Sequence, residues 1–125
     1  MFNSIALVGG THGNETSGIQ LIRNWQQFGL PSRFNELNVS LNIANEAALA
    51  ANVRFVEEDL NRQFTLERLS GDNPAKEAVL AKSLNNKFGP KGNSNTDLVI
   101  DIHNTTSEMG ATLIILEADE FTCSC

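Results

Sequence analysis

The run Ile5-Ala6-Leu7-Val8-Gly9-Gly10-Thr11-His12-Gly13-Asn14-Glu15 passes from four apolar residues through paired glycines into polar side chains. The apolar residues read as a buried strand, and the glycines let the backbone turn sharply at its end. Side chains just past such a turn project from the carboxyl end of a sheet, where open α/β sheets place their ligands. His12 and Glu15 stand three residues apart. On a turn or a first helical turn that spacing puts an imidazole and a carboxylate on one side, able to share a cation. A glycine-rich strand-to-helix turn with no ligand is the plain alternative, and His-x-x-Glu alone does not separate the two.

A second apolar run, Leu98-Val99-Ile100-Asp101-Ile102, ends in His103 and continues as Asn104-Thr105-Thr106-Ser107. The chain holds 2 histidines, and both follow strand-like runs. In a largely parallel sheet both would emerge at the carboxyl ends of strands, the geometric condition for sharing one ion. His12, Glu15 and His103 make the His2Glu set with which a catalytic zinc keeps a fourth position open. A structural zinc would want four protein ligands, usually with cysteine. The only cysteines, Cys123 and Cys125, lie in the last three residues, too close together for an ordinary disulfide, and read as a frayed tail. Asp101, two before His103, points to the same face of a strand and either holds that imidazole in the right tautomer or faces solvent.

Other glycine-loop chemistries are excluded by the residues present. A phosphate-binding loop ends in Gly-Lys-Ser/Thr, where this chain has Asn14-Glu15-Thr16; a dinucleotide loop needs a glycine where Thr11 stands. A short zincin keeps its ligands on one helix, whereas His103 follows Glu15 by 88 residues (103 − 15).

Across 125 residues, 41% of them hydrophobic, there is room for one domain or part of one with a real core. Nine Lys+Arg against fifteen Asp+Glu give a net charge of −6, which disfavours nucleic acid or an anionic membrane as partner. A small anionic substrate stays open, because local charge binds a carboxylate. No leader-like or membrane-spanning run is present, so a cytoplasmic protein is expected. Asn-x-Ser/Thr triplets begin at Asn14, Asn38 and Asn104, and without a secretion signal they read as chance.

The remaining elements follow from periodicity. Residues 2–8 form the first strand, and Thr16 to Phe28 the first helix, with Leu21, Ile22, Trp25 and Phe28 as its core stripe and Gly29 and Pro31 as its stop. Asn38 to Ile43 alternates as an edge-like strand, and Glu46 to Ala51 has helical composition. Residues 54–64 fit no period: charges alternate around Phe55, Leu60 and Phe64, as in an ordered loop aiming polar groups or a solvated connector. A packing helix capped by Asp72 or Asn73 begins at Pro74 and runs to about Phe88, and residues 89–95 are turn-rich. Asp97 to Ile102 is a buried strand, and Ala111 to Leu116 a last one after Gly110. The alternation predicts a three-layer α/β fold around a mostly parallel, or mixed, central sheet.

Three ordered motifs now stand together: Gly9-Gly10-Thr11-His12-Gly13-Asn14-Glu15, Glu58-Asp59-Leu60-Asn61-Arg62-Gln63-Phe64, and Asp101-Ile102-His103-Asn104-Thr105-Thr106-Ser107 with Met109-Gly110. In this combination the chain resembles the aspartoacylase and succinylglutamate desuccinylase family, a branch of the zinc carboxypeptidase-like hydrolases, and the second and third motifs resemble aspartoacylases most. The resemblance implies one zinc per chain, held by His12, Glu15 and His103. It implies hydrolysis of the amide of an N-acyl acidic amino acid, N-acetylaspartate to acetate and aspartate, by zinc-activated water. Arg54 would polarise the scissile carbonyl as its oxyanion forms. Asn61 and Arg62 would hold a substrate carboxylate, Arg62 through a two-pronged contact. Residues 54–64 are then a functional loop. A carboxypeptidase acting on peptides fits these motifs less well.

The resemblance runs to about Leu116, so residues 1–116 are expected to be the N-terminal part of a zinc hydrolase catalytic domain. Residues 117–125 are then a divergent or disordered tail on a truncated fold. It also implies a general-base glutamate in a later part of family members, matched by no residue here. The alternative expectation is therefore an inert fragment that binds zinc or an acidic ligand. A truncated sheet exposes an unpaired edge, for which a homo-oligomer or a partner chain is one cover.

Overall fold

The computed structural model describes residues 3–106 together with Glu108, Thr112 and Ile114. The expected last strand at 111–116, the tail at 117–125, Ser107, Met109 and Gly110 lie outside the described residues, Thr112 and Ile114 excepted.

Among the described residues three parallel strands form the sheet, β1 (Ser4–Gly9), β2 (Asn38–Ile43) and β3 (Leu98–Ile102), in the order β2-β1-β3. Register places Gly9 beside Ile43 on one side and Ile102 on the other, so the carboxyl ends of all three strands lie level. Between β1 and β2 runs α1 (Thr16–Phe28); between β2 and β3 run α2 (Glu46–Ala51), α3 (Leu66–Ser70) and α4 (Lys76–Phe88), with 3₁₀ turns at Ser32–Phe34 and Leu60–Arg62. Parallel neighbours require such crossovers.

Successive side chains of β1 point to opposite faces, and that alternation builds the layers. A Cβ on Gly9 would stand 2.6 Å from the Gly18 carbonyl carbon, so two glycines let α1 lie directly against the sheet, with Ile19 and Ile22 buried between them. On the other face Val8 clusters with Ala44, Leu60, Ala81 and Leu84, the last two from α4. The three-layer α/β expectation therefore holds.

Several details differ from the sequence expectations, among them a first strand at Ser4–Gly9 and a short helix at Leu66–Ser70 that periodicity does not predict. Phe28 is 74% exposed and not core: the buried stripe is Gly18, Ile19 and Ile22, and Phe28 ends the helix where Gly29 turns the chain away. The last long helix starts at Lys76, not Pro74. Ala75 is still extended (φ −56°, ψ 144°), and the Asn73 side chain accepts from the Ala75 N–H, fixing the approach to the helix without capping it. Strand β3 is not buried: Val99 and Ile100 are exposed, because β3 is the outer strand of the described sheet. Among the described residues no helix is long and apolar enough to cross a membrane.

Candidate metal centre

Gly10 (φ +72°) turns the chain at the end of β1, a conformation that suits glycine, and the next residues fold back beneath the sheet end. A Cβ on Gly13 would meet the Ala48 carbonyl carbon at 2.2 Å, so the loop passes hard against α2. The Gly13 N–H donates to the Arg54 carbonyl at 3.2 Å, tying this loop to the one that carries Arg54. His12 is consequently buried, 2% exposed.

Each of its ring nitrogens faces a carboxylate. Nδ1 lies 3.0 Å from Glu15 Oε1 and Nε2 lies 2.9 Å from Asp59 Oδ1. His103, just past β3, repeats the arrangement: Nδ1 lies 2.8 Å from Glu15 Oε2 and Nε2 lies 2.7 Å from Asp101 Oδ2. Glu15 thus stands between the two imidazoles, whose ring centroids are 5.1 Å apart. One ligand atom from each of His12, Glu15 and His103 lies within 4.8 Å of the others.

This donor set fits a divalent cation. Both Nδ1 atoms converge on one carboxylate, while both Nε2 atoms are turned outward to an aspartate that accepts the N–H and fixes the tautomer. Asp101 is itself steadied by the Thr11 hydroxyl at 2.8 Å. At His103 the geometry also favours a proton: the Asp101 hydrogen bond, opposed by partial burial and aided by Glu15, raises the pKa to about 9. Asp59 is held below its ordinary range: burial pushes it up, but the His12 hydrogen bond, the Asn61 N–H and the charges of His12 and Arg54 outweigh that.

Arg54, with a 52% exposed side chain, leans over this cluster, its guanidinium 3.7 Å from Glu15 and 3.4 Å from Asp59. A cleft of about 380 Å³ opens here, lined by Asn14, Glu15, Arg54, Asn104, Thr105 and Thr106. Asn104 also caps α1: its Oδ1 accepts from the Ser17 N–H at 3.1 Å and its Nδ2 donates to Ser17 Oγ at 2.9 Å. Asn61 and Arg62 lie on the 3₁₀ turn just after Asp59, both exposed and outside that cleft wall.

Asp59 is the site neighbour that the sequence did not single out. It sits inside the Asp-Leu-Asn-Arg motif, 47 residues from His12, and only the fold joins them. The signal available was its chemistry: a second carboxylate to match the one beside His103.

The fold is that of the zinc carboxypeptidase-like α/β class. More closely, the chain belongs to the family described as succinylglutamate desuccinylase/aspartoacylase catalytic domain, which it matches over residues 2–123. It is 42% identical over 123 residues to an aspartoacylase of Xenopus tropicalis, covering 94% of this chain and 39% of that protein. It is 38% identical over 122 residues to an N-acyl-aromatic-L-amino acid amidohydrolase (carboxylate-forming) of Xenopus laevis, covering 95% and 40%. Among solved structures, murine aminoacylase 3 superposes with a TM-score of 0.74 at 39% identity, covering 85% of this chain and 36% of that one. A succinylglutamate desuccinylase from Vibrio parahaemolyticus shares the fold, with a TM-score of 0.63 at 24% identity. The chain thus spans about two fifths of the length of these relatives.

Proposed function

We propose that this chain carries the zinc-binding part of an amidohydrolase acting on N-acyl amino acids, with His12 Nδ1, Glu15 and His103 Nδ1 as the ligands. The single observation that carries the proposal is the convergence of both Nδ1 atoms on Glu15 with an aspartate behind each ring. A zinc ion bound there supplies Lewis acidity and a water of lowered pKa. Asp59 and Asp101 keep the imidazoles in the metal-binding tautomer. Arg54, half-exposed at the rim, presents a guanidinium where charge builds on the carbonyl oxygen of a substrate amide. Asn61 and Arg62 bind the substrate carboxylate. Arg62 suits that role because no described residue pairs with it, which leaves its fork open to an anion.

The names of the relatives divide between aspartoacylase and N-acyl-aromatic amino acid amidohydrolase, and the proposal takes the acidic N-acyl amino acid that the Asp-Leu-Asn-Arg and His-Asn-Thr-Thr-Ser motifs suggest. A compartment of the cytoplasm and a homo-oligomeric state remain part of the proposal. One observation favours the second reading, a chain that binds zinc without turnover. The carboxylates that touch the two imidazoles, Glu15, Asp59 and Asp101, are all engaged by ring nitrogens, so none of these three is free to take a proton from water.

Hydrolysis of N-acetylaspartate and of an N-acetyl aromatic amino acid by zinc-loaded protein, with His103→Ala as control, tests both readings. Turnover of the acidic substrate that vanishes in the variant supports the amidohydrolase. Zinc binding with no turnover of either substrate supports the second reading, and preference for the aromatic substrate overturns the assignment of specificity.

A further inference from the structure

Glu77 is a carboxylate outside the metal centre, and it is 1% exposed. It lies in the first turn of α4, remote in sequence from every site residue. Its Oε1 accepts from the Val56 N–H at 2.6 Å and from Asn45 Nδ2 at 3.2 Å; its Oε2 accepts from the Glu57 and Glu58 N–H groups, each at 3.1 Å. Three consecutive backbone amides thus wrap one carboxylate, an anion nest built from the chain itself. Among the described residues no cation pairs with Glu77; the four hydrogen bonds that it accepts all come from backbone and side-chain amides.

The wrapped segment carries the site. Arg54 precedes Val56 by two residues, and Asp59 follows Glu58 directly. Asn45 joins in from the other side: while its Nδ2 donates to Glu77, its Oδ1 accepts from the Ala48 N–H and caps α2, the helix against which Gly13 packs. One buried carboxylate therefore fixes α4, the start of α2 and the loop between Arg54 and Asp59 relative to each other.

We infer that Glu77 is a positioning residue for the metal centre: by gathering the amides of residues 56–58 it sets where Asp59 meets His12 Nε2 and where Arg54 meets Glu15. The inference rests on the proposed roles of Asp59 and Arg54. A carboxylate is required because both oxygens accept. Glutamine offers one acceptor and turns an NH₂ toward amides that themselves donate, so the loop must move. An apolar residue leaves the amides unsatisfied altogether.

The test uses Glu77→Gln in the full chain, with Leu84→Ala as a variant that loosens the same helix without touching the nest. The readout is the His12 Nε2 proton in the metal-free protein, which its bond to Asp59 makes slow to exchange and shifts downfield in the NMR spectrum. Loss or a large upfield shift of that resonance in Glu77→Gln, with retention in Leu84→Ala, is expected. Zinc affinity should fall about tenfold in the first variant and stay near wild type in the second. Retention of the His12 resonance in folded Glu77→Gln, or its equal loss in both variants, overturns the inference. Should Glu77→Gln not fold, Glu77→Asp keeps the charge but shortens the reach, and the same resonance decides in the same way. Because the NMR readout needs no metal, a wild-type protein that bound no zinc would refute the proposed function and still leave this inference open to its own test.

Discussion

At the residue scale, the centre is made by pairing each imidazole with two carboxylates, one on each nitrogen. His12, Glu15 and His103 were legible because the chain has two histidines and both follow apolar runs that end a strand. Asp59 was not, because residues 54–64 carry alternating charge with no period, and a carboxylate there has no local reason to seek an imidazole 47 residues away. Asp59→Asn keeps the shape and the bond to the Asn61 N–H but removes the charge behind His12. Zinc affinity should drop about 10- to 100-fold, read by competition with a chelating dye, and an unchanged affinity would remove Asp59 from the centre. Arg62 belongs to a different function. Arg62→Ala should weaken binding of an anionic N-acyl amino acid by about 1.5–3 kcal/mol while leaving zinc binding intact, as titration calorimetry would show. Equal loss of both would mean that the substitution acts through the fold.

At the element scale, periodicity found Thr16–Phe28 and Asn38–Ile43 with the bounds that the structure has, since each is a regular element whose apolar residues recur at the period of its backbone. It failed where side chains override local pattern. Asn73 bonds to Ala75 and Glu58 and holds the approach to α4 extended, and no count of apolar spacings contains that information. The loop at 54–64 is ordered by what it binds: Glu77 above, and Leu60, fully buried, as its apolar anchor. Leu60→Ala should cost about 2–5 kcal/mol in a denaturant melt, the range for an apolar side chain removed from a closed core. Acid acts on the same loop through Glu77. Burial pushes its pKa up, but the amides of Val56 and Glu58, the Asn45 side chain and the Glu57 amide pull harder and hold it below the usual glutamate range. A carboxyl with a lowered folded pKa stabilises fully above its ordinary value and loses that contribution as pH falls through the folded one. The amide resonances of residues 56–58 should therefore stay fixed from neutrality down to about pH 5 and move only in more acid solution. A transition centred near neutrality would contradict the nest.

At the scale of the whole molecule, the fold brings together three segments that the sequence keeps far apart: the turn after β1, the loop before the Leu60–Arg62 turn and the end of β3. Parallel strands do this naturally, because their carboxyl ends lie level and every crossover returns the chain to the same side. The α/β class could be read from the alternation of elements. The exposure of β3 could not, since an apolar run looks the same at the centre of a sheet and at its margin. Because the ligands come from both ends of the described chain, an ion held there should bind the folded state alone. At a free zinc concentration about 100 times its Kd, stability should rise by about 2.7 kcal/mol. For a chain of 125 residues that is a rise in Tm of roughly 10 °C, absent in the presence of a chelator.

The metal content of folded protein, measured with that of His103→Ala under the same conditions, bears on all of this at once. One zinc per chain in the wild type, lost in the variant while its circular dichroism stays native, is the expected result. A wild-type chain that folds and takes up no zinc, or a variant that holds zinc as tightly as the wild type, would contradict the site.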